Sequence, residues 1–136
     1  MICLDTTYLL DWIADPSRIV TITKELERKE TLATTSHNVF EAFLGAYAVE
    51  NKTISARMID KLERALVPIH VLSFDSEDAN KAAEILAALK KKGKTVGIDA
   101  ITAAVALNNG CSGVVTRNVS HFDEIQKVTG LELIEY

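Results

Sequence analysis

The chain alternates short apolar segments with longer segments of helical periodicity, and this alternation constrains the fold more than any other feature. Strands that alternate with helices predict a parallel sheet that is covered by helices on both faces. We therefore expect an α/β layered fold. The segments with strand character are MICLD (1–5), TLATT (31–35), IHVLSF (69–74), CSGVVTRN (111–118) and LELIEY (131–136).

Seven segments between these strands carry the spacing of helices, and no linker or low-complexity stretch separates them. In the helix from Ser36, the large apolar residues have the spacing of one buried face. With 136 residues, we expect a single domain over residues 1–136. The helical segments are 6–13, 17–29, a helix from 36, 55–66, a helix from 75 or 76 to the glycine at 93, a helix from 97, and 121–128. The apolar face in the helix from Ser36 comprises Val39, Phe40, Phe43, Leu44 and Tyr47.

Composition excludes several classes of protein. No apolar run approaches the roughly 18 residues of a membrane span, and the N-terminal segment has no basic leader, so we expect a cytoplasmic protein. Cys3 and Cys111 form no CxxC pair, and the three histidines are too scattered for a structural zinc site. Any metal is therefore expected to be held by oxygen.

A net charge of −4 argues against binding nucleic acid over the whole surface. A local basic patch stands at Lys90, Lys91, Lys92 and Lys94. These lysines are either phosphate-binding residues or a solvated helix end that suits the helix dipole.

Four polar residues stand at strand ends or in the helix turns that follow them, namely Asp5, Glu41, Asp99 and Asn118. The carboxyl ends of parallel strands meet at one rim, where ligands bind in open α/β sheets. Three carboxylates at one rim repel each other and need a cation to balance them. Ligands of this type suit Mg²⁺ or Mn²⁺, which can activate water and neutralise charge on a phosphate during hydrolysis.

Hydroxyl groups accompany the acids, and we expect them to orient the carboxylates or to bond to metal-bound water. They are Thr6, Thr7, Ser36 and Thr116.

Each of the four polar residues also has a simpler interpretation. Asp5 could cap the helix after the first strand, and Asn118 could be a turn residue. Glu41 could be an acid near the start of its helix, where the helix dipole favours a negative charge. Asp99 opens the most apolar helix, so we expect it to act both as a helix cap and as a metal ligand.

The motifs LDTTYLLD, SHNVFEAFLGAY, GIDAITAAVAL and VVTRNVSHFDEI, in this order and at these intervals, resemble the PIN-domain family. The resemblance spans essentially the whole chain and is greatest to the VapC-type toxin ribonucleases. It implies a parallel five-stranded sheet flanked by helices. It further implies a Mg²⁺- or Mn²⁺-dependent endonuclease acting on single-stranded RNA, a protein antitoxin partner, and a homodimer.

By this resemblance, Asp5, Glu41 and Asp99 fall on the three acidic metal positions of the family. Asn118 falls on the fourth catalytic position, which is aspartate in many members and asparagine in many others. An asparagine lowers the negative charge of the site, so we expect one firmly bound metal rather than two.

Other polar residues are ranked below these four. Arg117 either holds a substrate phosphate, with Lys92 and Lys94, or pairs with a nearby acid. Asp11 is expected to be a solvated helix acid, and Asp123 a surface residue.

Two other classes of function compete with the nuclease. Aspartyl phosphotransfer from Asp5 normally requires a second acid two residues later, where this chain has Thr7. A domain that only binds RNA or protein would have no use for three crowded acids. Within the nuclease class, a housekeeping RNA-processing enzyme is the alternative to a toxin.

Overall fold

A computed structural model describes all residues 1–136 and contains one five-stranded sheet in which every neighbouring pair of strands is parallel. The strand order is β3-β2-β1-β4-β5, so β1 lies at the centre. This confirms the α/β fold that the alternation predicts. The strands are β1 (Ile2–Leu4), β2 (Leu32–Thr35), β3 (His70–Leu72), β4 (Gly113–Thr116) and β5 (Glu132–Glu135).

Helices connect the strands. A 3₁₀ turn at Pro16–Arg18 precedes the second helix, because proline fixes the first residue of that turn. The helix predicted over 17–29 is therefore shorter than expected. The helices are α1 (Thr6–Ala14), α2 (Val20–Lys29), α3 (Ser36–Tyr47), α4 (Lys52–Leu66), α5 (Ser76–Lys91), α6 (Asp99–Asn108) and α7 (Val119–Thr129).

The central strands separate two hydrophobic cores. In β1, Cys3 faces one core, whereas Ile2 and Leu4 face the other. In β4, Val114 and Val115 divide between the two cores in the same way. Side chains alternate across a strand, so apolar residues at every position predict a strand that is buried on both faces.

The buried face of α3 differs from the face predicted from the sequence. Its buried residues are Asn38, Ala42 and Ala46. Phe40 and Tyr47 are 59% and 67% exposed. The prediction was wrong for Phe40, Leu44 and Tyr47, whereas Phe43 is partly buried and packs against the core. The sequence pattern favours large residues, but α1 and α4 pack closely on α3 over its small alanine side chains.

Candidate active site

The sheet order brings the candidate residues to one edge. Asp5 directly follows β1, and β1 pairs with both β2 and β4. Helix α3, which carries Glu41, follows β2 without a loop, and Asn118 lies two residues after β4. Asp99 begins α6, which packs against α3 and α7. The structure therefore gathers residues that are up to 113 positions apart in the sequence at the carboxyl ends of the central strands.

Asp5 is 3% exposed, and its carboxylate is held by two threonine hydroxyls. Thr116 Oγ1 donates to Asp5 Oδ2 at 2.7 Å, and Thr7 Oγ1 donates to the same oxygen at 3.1 Å. Asp5 occupies the N-cap position of α1, but its side chain makes no capping hydrogen bond. The carboxylate is thus directed at the strand edge rather than at the helix backbone.

Glu41 lies in the second turn of α3 and is bonded across to α1. Thr6 Oγ1 donates to Glu41 Oε2 at 2.5 Å. His37, one turn earlier on α3, places Nε2 3.6 Å from the other carboxylate oxygen, Oε1. These contacts fix the carboxylate beside α1, although sequence reasoning did not single out His37.

Asp99 is the first residue of α6, and the N-cap residue is Ile98. No side-chain capping bond forms, so the expected capping role of Asp99 was wrong. Its Oδ2 instead contacts His121 Nδ1 at 2.5 Å and accepts a hydrogen bond from Asn118 Nδ2 at 2.8 Å. The carboxylate therefore faces α7 rather than the backbone N–H groups of its own helix.

The pKa of the Asp99 carboxyl group is raised above its ordinary value, mainly because the group is buried. The hydrogen bond from His121 lowers the pKa, whereas the negative charges of Asp5 and Glu41 raise it further. The three carboxylates are therefore close enough to interact electrostatically.

His121 is a site residue that sequence reasoning missed. Its Nδ1 lies 3.1 Å from Asn118 Nδ2, so both side chains converge on the same Asp99 oxygen. The three-residue spacing of Asn118 and His121 indicates that these two side chains lie on one side of α7, but it does not indicate their contact with Asp99.

The donor set fits a hard divalent cation in its chemistry. In both Asp5 and Asp99, the hydrogen bonds fall on Oδ2 only, and Oδ1 accepts none. Each aspartate thus keeps one carboxylate oxygen for a cation. No three His, Cys, Asp or Glu side chains already converge as a finished ligand set. Each carboxylate is instead bonded to a neighbouring hydroxyl or imidazole group.

Three of the four predicted hydroxyls contact the acids, as described for Thr6, Thr7 and Thr116. Ser36 does not, and that prediction was wrong. Its Oγ accepts a hydrogen bond from the backbone N–H of Phe74 at 3.2 Å. As the first residue of α3, Ser36 is turned towards the segment after β3 and away from Glu41.

Arg117 pairs with Asp11, which is buried rather than solvated as we expected. Arg117 Nε lies 2.8 Å from Asp11 Oδ2, and Tyr136 donates its hydroxyl to the same oxygen at 2.9 Å. The Nη groups of Arg117 make no hydrogen bond, and its side chain is 48% exposed. The guanidinium group is thus oriented at Nε while its other donors remain available.

The lysine patch lies at the end of α5. Asn108 Nδ2, at the end of α6, donates to Asp78 Oδ1, in the first turn of α5, at 2.8 Å. The two packed helices therefore run in opposite directions, and the end of α5 lies beside the beginning of α6. Lys94 pairs with Glu124 of α7 at 3.3 Å, whereas Lys92 is exposed and unpaired. Asp123, as expected, is a surface residue and pairs with Lys127.

None of the seven helices has the length and apolar character of a membrane span.

Comparisons with known proteins agree on one family. The model of the PIN domain family matches residues 2–128. A VapC ribonuclease of Sinorhizobium fredii, Y4jK, is 31% identical over an alignment of 139 positions that covers 98% of this chain and 96% of that protein.

Solved structures share the fold over nearly the whole chain. VapBC2 from Rickettsia felis, bound to a promoter DNA fragment, superposes with a TM-score of 0.84 at 21% identity over 99% of this chain and 98% of that chain. DNA-bound VapBC from Salmonella typhimurium superposes with a TM-score of 0.83 at 24% identity, over 98% of this chain and 96% of that chain. At these identities, the two structures support the fold alone.

Proposed function

The chain belongs to the PIN-domain family, and from that premise we propose that it is a Mg²⁺- or Mn²⁺-dependent endoribonuclease that cleaves single-stranded RNA. We further propose that it is the toxin of a toxin–antitoxin pair, that residues 1–136 act as one nuclease domain, and that it works in the cytoplasm. The relative from S. fredii, a VapC ribonuclease, supports the activity.

One observation carries the proposal. Asp5, Glu41 and Asp99 lie at the carboxyl ends of the central strands, close enough for the charges of Asp5 and Glu41 to raise the pKa of Asp99. The two aspartates each keep one oxygen free of hydrogen bonds. In this proposal Asp5, Glu41 and Asp99 hold the cation. When bound, a divalent cation supplies Lewis acidity towards a water molecule and towards the scissile phosphate.

The residues around the carboxylates hold them in place. Thr116 and Thr7 fix Asp5 through Oδ2. Asn118 acts in the same way on Asp99, because its amide donates to Oδ2 at 2.8 Å. We therefore assign Asn118 a share in the catalytic site as the partner of Asp99, and its lack of charge favours a single bound cation.

Phosphate recognition is assigned to the basic residues beside the acids. The unpaired Nη donors of Arg117 suit a phosphate oxygen, because a guanidinium group presents parallel donors to such groups. Lys92 and Lys94 at the end of α5 extend this positive charge along the RNA backbone. The local charge offsets the net charge of −4 at the place where RNA binds.

An antitoxin protein and a second copy of the chain are the proposed partners. The solved relatives from R. felis and S. typhimurium are VapBC complexes, which supports an antitoxin. Phe40, Leu44 and Tyr47 form an exposed apolar face on α3 and support a homodimer. Scattering or sedimentation tests the dimer: Leu44→Glu should give monomers, and the control Val20→Glu on α2 should not. A wild-type monomer at high concentration would contradict it.

The activity is tested with labelled single-stranded RNA substrates and purified protein. Cleavage should require Mn²⁺ or Mg²⁺ and should stop on addition of EDTA. Asp99→Asn, which keeps the shape of the side chain, should abolish cleavage, whereas the surface variant Asp123→Asn should cleave normally. Cleavage by Asp99→Asn at the wild-type rate would contradict the proposal, as would metal-independent cleavage by the wild type.

A further inference from the structure

A buried amide joins the three elements that carry the acids. Asn38, in the first turn of α3, is fully buried. Its Nδ2 donates to the backbone carbonyl of Leu4 at 3.0 Å, at the end of β1. Its Oδ1 accepts from Thr102 Oγ1 of α6 at 2.6 Å. One side chain therefore bonds β1, α3 and α6 together.

Each end of this connection lies next to an acid. Leu4 immediately precedes Asp5, and Thr102 stands three residues after Asp99 on α6. Asn38 itself stands three residues before Glu41 on α3. Residues three apart lie on the same side of a helix, so both helical acids project from the side on which the amide bonds form.

The chemistry of the connection requires an amide. The Leu4 carbonyl can only accept a hydrogen bond, and the Thr102 hydroxyl donates one, so the linking group must offer one donor and one acceptor. Two further bonds fix the arrangement: Thr34 Oγ1 donates to the Leu4 carbonyl at 2.8 Å, and the backbone N–H of Asn38 donates to Thr35 Oγ1 at 3.0 Å. All four bonds are buried, so water does not compete for them.

We propose that Asn38 is a positioning residue of the active site, which sets the separation of Asp5, Glu41 and Asp99 without contacting cation or RNA. Negative charges repel each other, so their spacing has to be held by the elements that carry them. This inference rests on the proposed function, because it concerns the same cation. Loss of a residue that orients metal ligands typically weakens metal binding by about 10- to 100-fold.

The test is a calorimetric Mn²⁺ titration, at a temperature where thermal melting shows every protein to be folded. Asn38→Leu removes both side-chain bonds and keeps the branching and the number of heavy atoms, and Thr102→Val removes only the bond to α6. Leu26→Ala, in α2 and away from the acids, is the control for lost stability. We expect Asn38→Leu to bind Mn²⁺ at least about tenfold more weakly, Thr102→Val to lose less, and Leu26→Ala to stay within about twofold of wild type.

Unchanged affinity in Asn38→Leu would overturn the inference while leaving the proposed function intact. Equal weakening in Leu26→Ala would also overturn it, because affinity would then follow stability rather than position. If Asn38→Leu does not fold, the Mn²⁺ affinity of Thr102→Val tests the inference instead, because this variant retains the bond from Asn38 to Leu4. Weakened binding would support the inference, and unchanged affinity would overturn it. A wild-type protein that takes no Mn²⁺ would contradict the proposed function itself, and this result is visible before any variants are compared.

Discussion

Thr116→Val removes one hydroxyl from a fully buried position and keeps the β-branched shape that suits the end of β4. The hydroxyl makes the shorter of the two hydrogen bonds to the Asp5 carboxylate, at 2.7 Å. It also accepts the backbone N–H of Asn118 at 2.9 Å. The substitution therefore leaves the charge of Asp5 in place and removes its principal donor.

The expected cost follows from these two bonds. A hydrogen bond to a charged group contributes about 1.5–3 kcal/mol, and Asp5 retains only the longer bond from Thr7. The Asn118 N–H is less buried, so water replaces part of that bond. We expect a loss of about 2 kcal/mol in the free energy of unfolding, which for a chain of this length lowers Tm by about 7 °C.

The assay is urea denaturation of the metal-free protein in EDTA, with Thr129→Val as the matched control. Thr129 donates to the backbone carbonyl of Ile125 and accepts the backbone N–H of Leu131, so neither of its bonds involves a charge. The control should lose about 1 kcal/mol or less. If Thr116→Val loses less than about 0.5 kcal/mol, or no more than the control, the hydroxyl does not stabilise the Asp5 charge and the reasoning is refuted.

Three further predictions concern single side chains around the site. The pKa of Asp99 is raised on folding, so the folded protein binds this proton more tightly than the unfolded chain does. The free energy of unfolding of the wild type should therefore fall as the pH rises from the ordinary pKa of an aspartate through the raised pKa. Metal-free Asp99→Asn should therefore be the more stable protein at neutral pH but not at low pH; equal urea midpoints at neutral pH would contradict this. Arg117→Gln should weaken RNA binding and make the negative slope of the log binding constant against log salt concentration shallower by about 0.7, as expected for one lost phosphate contact. An unchanged slope would exclude that contact. Tyr136→Phe removes the hydroxyl bonded to Asp11, which in turn pairs with Arg117, but keeps the ring beside Tyr8. Because Arg117 is then held less firmly, KM for RNA should rise a few-fold with kcat unchanged. A change in kcat alone would contradict a role of Tyr136 in positioning Arg117.

The order of strands and helices could be predicted from the sequence, because periodicity and the positions of proline and glycine are local signals. The inward face of α3 could not. A helical stripe shows which residues share a side, whereas close packing over Ala42 and Ala46 determines which side is buried. Large apolar residues such as Phe40 are then left exposed.

The positions of the candidate acids and of the threonines that contact them could be predicted from the sequence, but the contact with His121 could not. Asp5, Glu41 and Asp99 stand at strand ends or helix starts, which sequence patterns locate well. The contact of Asp99 with His121 depends on how α6 and α7 pack, and no local signal encodes that packing. The burial of Asp11 has the same origin, because its partners are 106 and 125 residues later in the chain.

In the proposed function, the three acids together form a binding site for a divalent cation. The most direct measurement is a Mn²⁺ titration of wild type, Asp5→Asn and Glu41→Gln, with Asp123→Asn as the surface control. We expect one Mn²⁺ per chain in wild type and in the control, and strongly weakened binding in both site variants. Equal binding by all four proteins, or no binding by wild type, would contradict it.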